Sequence, residues 1–470
     1  MRPADPPPSA FRRVVGNTVW FALSETGGRL LSFAAILFFT RTLTLADIGM
    51  VEFGLAVFTF TSLVSTGAVG ILAMPRVART RHGLARLAGT TIVVGWCQFL
   101  VVLAAFAAGA WLLRWDPAMK RGMLLFGLAA GVVPLGLRSV LIACELAPIV
   151  AVATLAGQAT FLGLCLLLVR ATDDAGRVPL LLLAGTSVQS GVQLAGFMRA
   201  YGALHFRLRT AHLAAWLRAA AALAPGVVAR NLMLGIDVLL LAALVEPAEV
   251  ARYGIARKIP LFLATLTFLG HSAVFSSVAR AMGDRARLAA ISRDIVGTAV
   301  GVALPGVLCL AAVAEPLMVL LFTDKFRASA PLFTVLLWRF PLAAVGGLFR
   351  NLVWIERPAA DARIAIQALA VAVATIVLLV ARLGTVGAAL GILSGELVAL
   401  ALYVRAAAKS TSSIVHVPYA EAYAPGFEDM ERRVPDVGKL TRATGFAPTT
   451  PLEQIVADVL ADHRGQLGRS

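Results

Sequence analysis

Charged side chains are scarce in this chain, and acidic ones are scarcer than basic ones. Only 14% of its 470 residues are Asp, Glu, Lys or Arg, with 26 acids against 42 bases. Soluble domains carry roughly a quarter, so a water-facing globular surface is excluded for most of the sequence. Cysteine is equally sparse. Cys97, Cys144, Cys165 and Cys309 all fall in apolar stretches, with no CxxC pair and no histidine at metal-ligand spacing. That excludes a disulfide framework and a zinc site, and marks them as inert core thiols. Short alternating segments are missing, which argues against a barrel. The N-terminal MRPADPPPSAFRR has prolines where a signal peptide would have its apolar run, so residues 1–14 read as a disordered cytoplasmic lead.

What is present is apolar: 59% of the residues are hydrophobic. Stretches of about 20 such residues recur, each long enough as a helix to cross a hydrocarbon core of about 30 Å. They lie at roughly 15–40, 50–73, 89–113, 122–144, 149–169, 178–199, 218–245, 254–278, 294–322, 331–355, 362–381 and 384–407. The expected class is therefore an all-α polytopic membrane protein of about twelve spans. With the N-terminus inside, the inner loops hold the larger share of Arg and Lys, which places both termini in the cytoplasm. The net charge of +16 follows from such loops better than from nucleic-acid binding. No outer loop exceeds about 15 residues, too short for an external catalytic domain. Two acidic turns, RTLTLADIGMVEFG after the first span and LVEPAEVARYGIARK after the seventh, suggest two six-helix halves, 15–213 and 214–410.

Several pieces resemble the polysaccharide-export, Wzx-type branch of the superfamily that also holds multidrug (MATE) exporters and lipid II flippases. The first helix pair, LLSFAAILFFTRTLTLADIGMVEFG, is similar to the family's opening motif. The middle segment GIDVLLLAALVEPAEVARYGIARKI resembles its seventh-helix Asp followed by Tyr and an Ala-basic pair, here Asp237, Tyr253, Ala256, Arg257 and Lys258. AEPLMVLLFTDKFRASAPLFTVLLW and LGTVGAALGILSGE resemble later connections. Departures at Ala251, Thr323 and Asp324, where the family favours Gly, leave the substrate open. The resemblance implies a flippase that carries isoprenoid-diphosphate-linked oligosaccharide across the inner membrane for O-antigen or exopolysaccharide synthesis, by alternating access. The alternatives are a multidrug or cation exporter of the same fold, or a membrane component of nucleotide-sugar metabolism.

Charges inside the spans narrow the site, because each costs at least about 2.5–3.5 kcal/mol at the bilayer centre and normally faces protein or water. Glu25 and Arg29 are four apart and able to pair; Arg138 and Glu145, and Arg230 and Asp237, are seven apart. Arg339 and Arg350 share one face of one span with no acid in that helix. Arg29, Arg230, Arg339 and Arg350 are therefore expected to line a cationic cavity for a diphosphate, with Glu25 and Asp237 setting charge or coupling ions. The rival reading is that such pairs only lock helices together. GTVGAALG, Gly384 to Gly391, reads as close helix packing, not as a nucleotide turn. No catalytic group, metal or cofactor is expected.

The end of the chain differs. Residues 411–470 hold six basic and eight acidic side chains, a net −2. IVHVPYAEAYAPGFEDMERRVPDVGKLTRATGFAPTTPLEQIVADVL resembles the C-terminal end of nucleotide-sugar epimerases of the extended short-chain dehydrogenase type. Arg433 of RRVPD would be the counterpart of a nucleotide-sugar contact, yet the dinucleotide Gly fingerprint and YxxxK pair are missing. Thr450 and Glu453, with Pro451 between them, have the spacing of a helix cap. A fusion remnant is the simplest reading of this fragment, and docking to a nucleotide-sugar enzyme the other. The expected partners are lipid-linked oligosaccharide, membrane lipid and a polysaccharide polymerase, with no nucleic acid.

Overall fold

The computed structural model describes residues 10–79, 83–112, 117–206, 210–264, 266–267 and 285–410, together with Arg442 and Gln454. Among these residues every regular element is helical. The elements up to residue 206, called the first half for their place in the sequence, are α1 (Ala10–Thr42), α2 (Leu45–Arg79), α3 (Leu84–Leu112), α4 (Pro117–Ala129), α5 (Arg138–Ala143), α6 (Ala147–Leu168) and α7 (Val178–Tyr201). Those of the second are α8 (Thr210–Leu232), α9 (Ile236–Leu244), α10 (Pro247–Ala256), α11 (Arg285–Ala312), α12 (Ala314–Phe322), α13 (Ala330–Leu337), α14 (Arg339–Glu356) and α15 (Pro358–Ser410). Nine helices among the described residues are long and apolar enough to cross a membrane. Large apolar side chains such as Trp111, Leu308 and Leu378 stand exposed on them. Surfaces of that kind are stable against lipid, and the chain is an all-α polytopic membrane protein.

Eleven of the twelve expected spans coincide with a helix or a helix pair, and residues 265 and 268–278 of the eighth, 254–278, lie outside the described residues. Helix α1 begins at Ala10, five residues before the expected start. The fourth span is α4 and α5 joined by a 3-10 segment that contains Pro134, and the seventh is α8 followed by α9. Of the four thiols only Cys165 is buried, and Cys309 is exposed on α11, so the expectation of four core thiols holds for one. The chain divides into two units, Met1–Ser412 and Ser413–Ser470. The expected cap at Thr450 and the position of Arg433 lie outside the described residues.

The two acidic turns start helices that meet. Thr44 caps α2: its hydroxyl accepts from the Asp47 N–H at 3.2 Å and donates to the Asp47 carboxylate. Pro247 opens α10 at a position where its missing N–H costs nothing. At their starts the helices touch so closely that a Cβ on Gly49 would lie 1.8 Å from the Pro247 carbonyl oxygen. The ends of the two halves that carry these turns are therefore in direct contact, and Lys325 Nζ adds a hydrogen bond to the Leu43 carbonyl at 3.1 Å. Phe33 meets Phe322 edge to face, 5.8 Å between centroids.

Helix α15 breaks at Gly384, whose φ of 56° is a backbone conformation that glycine adopts readily. The chain folds back there. A Cβ on Gly387 would sit 2.5 Å from the Leu379 backbone, and one on Gly391 2.4 Å from the Ile376 side chain. Small residues at four-residue spacing thus let the two arms pack backbone to backbone, as in membrane helix pairs generally. Gly387→Val is expected to abolish recovery of monodisperse protein in detergent, because no side-chain motion relieves a clash with backbone. Recovery of wild-type amounts by size-exclusion chromatography would contradict that packing.

Candidate functional site

Between the halves lies a cavity of about 280 Å³ lined by Arg29, Glu52, Leu55, Ala56, Thr59, Phe60, Asn231, Leu234, Arg257 and Lys258, among others. Helices α1 and α2 form one wall, and the α8–α9 break with the stretch after α10 forms the other. Three cations and one carboxylate line it. Around these lining groups the charge is locally organised. Glu52 and Lys258 pair across the halves at 2.7 Å, with Glu52 buried. Asp237, fully buried, accepts from the Tyr253 hydroxyl at 2.8 Å, from Arg257 Nη1 at 3.0 Å and from its own neighbour's backbone N–H at 2.9 Å. The Arg257 guanidinium also donates to the Leu234 carbonyl. A carboxylate in lipid needs such partners, since desolvation costs several kcal/mol unless the charge is paired and hydrogen-bonded. The segment with the family resemblance is thus one hydrogen-bonded unit folded across the α9–α10 turn.

The four expected arginines pair with three different carboxylates. Arg29 lines the cavity and pairs with Glu25 at 3.5 Å, the i to i+4 contact expected. Glu25 also accepts from Arg138, which takes the place of the expected Arg138–Glu145 pair. Glu145 instead sits at φ 62°, in the turn between α5 and α6. Arg230 does not pair with Asp237. Its Nη1 donates to Asp361, 131 residues away, and Arg350 Nε donates to the same carboxylate at 3.3 Å. The Tyr403 hydroxyl completes the set at 2.7 Å. Arg339 is buried; its Nε reaches Glu396 at 3.3 Å and its Nη2 the Met233 carbonyl, while its Nη1 has no partner among the described residues. The expected span 331–355 holds no acid, yet α14 runs on to Glu356, and the acids that pair with its arginines come from α15.

Glu52, Asp361, Glu396 and Tyr403 are therefore site or support residues that sequence reasoning passed over. Glu52 and Glu396 carried the same signal as the arginines, charge inside a span. Asp361 lies one residue outside the expected span 362–381. Summed over the neighbourhood of the cavity, Arg29, Arg138, Arg257 and Lys258 stand against Glu25, Glu52 and Asp237, an excess of one positive charge. Such a site tolerates an anion without holding a bare cluster of cations. Among the described residues no group of three or more His, Cys, Asp and Glu could hold a metal ion.

No family model matches the sequence, and no curated protein matches it either. Solved structures do share the fold. The chain is similar to the lipid II flippase MurJ in an inward closed conformation, with TM-score 0.68 and 11% identity over 83% of this chain and 90% of that one. It is also similar to a MATE protein in complex with MaL6, TM-score 0.59 and 14% identity over 85% and 96%. An outward-facing multidrug resistance MATE family transporter of the MOP superfamily gives TM-score 0.57 and 16% identity over 85% and 95%. The fold of this polytopic membrane protein is thus the one shared by the lipid II flippase and the MATE transporters.

Proposed function

We propose that this protein is a flippase that moves an isoprenoid-diphosphate-linked oligosaccharide across the inner membrane for polysaccharide synthesis. The observation that carries the reading is the cavity between the halves, where Arg29, Arg257 and Lys258 face a single lining carboxylate, Glu52. A guanidinium fork matches a diphosphate in geometry and charge, and the excess of one cation favours an anionic cargo over a cationic drug. Translocation in this reading is alternating access of two halves about the cavity. The Gly49–Pro247 contact and the Glu52–Lys258 pair close one end, and opening there would separate them. Residues 411–470, Arg433 among them, then act either as a remnant or as a dock for a nucleotide-sugar enzyme, next to a polymerase that receives the product.

The test is translocation in vesicles that hold the full chain and a fluorescent polyprenyl-diphosphate-linked saccharide, read by quenching of the outward-exposed label. Acceleration over protein-free vesicles is expected. Transport of organic cations with no movement of the saccharide lipid would reverse the reading in favour of an exporter. The same assay on residues 1–410 sorts the tail: unchanged rates make it a remnant, and loss makes it a dock.

A further inference from the structure

A second cavity, about 310 Å³, lies within the first half and differs in chemistry from the one between the halves. Its size is at the low end of the ~300–1,000 Å³ range of small-molecule sites. Its polar lining is mostly hydroxyl and amide, supplied by Ser62, Ser65 and Thr66 of α2, Thr91 of α3, Ser139 of α5, Gln158 of α6 and Thr186, Gln189, Ser190 and Gln193 of α7. Arg138 is the one ionic side chain in it, and that charge is balanced by Glu25. An ion has no evident counter-charge to select for here. A neutral molecule rich in hydroxyl groups does.

The hydrogen-bond bookkeeping points the same way. Thr66 donates its proton to the Ser62 carbonyl at 2.7 Å, Thr91 to the Ala88 carbonyl at 2.8 Å and Thr186 to the Leu182 carbonyl at 2.7 Å. Each hydroxyl oxygen then keeps lone pairs that accept from a ligand. On the donor side, Ser62 Oγ and Gln193 Nε2 are buried with no hydrogen-bond partner among the described residues. Gln193 is only 2% exposed, and a buried amide donor without a partner is costly. A sugar ring, whose hydroxyls both donate and accept, answers both sets at once.

The two cavities also share walls. Helix α2 gives Leu55, Thr59 and Phe60 to one and Phe58, Ser62 and Thr66 to the other. Glu25 accepts from Arg29, which lines the first, and from Arg138, which lines the second. We infer that the cavity in the first half is a saccharide subsite, which receives a sugar unit of the cargo while the cations of the central cavity hold its diphosphate. This rests on the flippase reading above.

The experiment is binding to the full chain in nanodiscs, measured by native mass spectrometry with two probes: a polyprenyl-diphosphate-linked disaccharide and the corresponding unglycosylated polyprenyl diphosphate. Gln193→Leu is expected to weaken the glycosylated probe at least about tenfold and to leave the unglycosylated one unchanged, whereas Arg29→Ala weakens both. Ser62→Ala removes the unmet hydroxyl without a cavity or a clash, so it folds as wild type and still weakens the glycosylated probe alone. If both first-half variants bind the two probes as wild type does, or lose both equally, the subsite is wrong and the flippase reading stands. If wild-type protein binds neither probe, the flippase reading falls and takes the subsite with it.

Discussion

Asp361→Asn is expected to cost about 3–5 kcal/mol, the usual penalty for leaving buried charges without their counter-charge. Asp361 is 1% exposed and is the shared acceptor for Arg230, Arg350 and Tyr403, which come from α8, α14 and the far arm of α15. An amide keeps the shape and loses the charge. Two guanidinium groups then face each other across a neutral side chain within the membrane part. The thermal midpoint of the detergent-solubilised protein is expected to drop by several degrees, since the shift per kcal/mol falls with chain length to about 1–2 °C at this size. Adding Arg230→Met to the same chain removes one stranded cation and is expected to recover part of the loss. A midpoint within a degree or two of wild type for Asp361→Asn alone would show that the carboxylate is not what holds these helices. Stability is the right readout, because Arg230 and Arg350 are committed to a carboxylate and are placed to join helices more than to meet a cargo.

Arg29→Ala is expected to do the opposite: little change in stability and a large change in transport. The Arg29 side chain is 43% exposed, and it forms a 3.5 Å ion pair with Glu25 on its own helix. Pairs of that exposure contribute about 0–1 kcal/mol, so folding loses little. The same guanidinium lines the cavity between the halves. Loss of a desolvated charge contact to a phosphate group costs about 2–5 kcal/mol, so flipping of the saccharide lipid is expected to fall at least tenfold at wild-type protein levels. Arg29→Lys keeps the charge but not the fork and is expected to fall between. Undiminished flipping by Arg29→Ala would remove Arg29 from the path and leave the central cavity without its exposed cation.

Much of this architecture was legible in the sequence for a simple reason. Whether a segment enters a membrane depends on a sum of side-chain transfer energies along the segment itself. Eleven of the twelve expected spans are helical, as is the described part of the eighth, the two acidic turns do open α2 and α10, and Gly387 and Gly391 of GTVGAALG do serve close packing. The Glu25–Arg29 pair could be read too, because i and i+4 fall on one helix face wherever the helix goes.

The remaining pairings could not. Arg230 and Asp237 share a spacing that suggests contact, yet the helix breaks between them at residues 233–235, and the phase of one segment does not carry over to the next. Arg138 finds Glu25 across 113 residues, Arg339 finds Glu396 across 57, and Asp361 gathers Arg230 across 131. The sequence by itself determined that the chain lies in lipid as a set of helices and that its buried charges need partners. Only the tertiary structure decided which partner each charge has and which cations are left to line a cavity. Burial of a charge is a cost that any nearby acid can offset, and which acid is nearby depends on how helices from distant parts of the chain pack side by side.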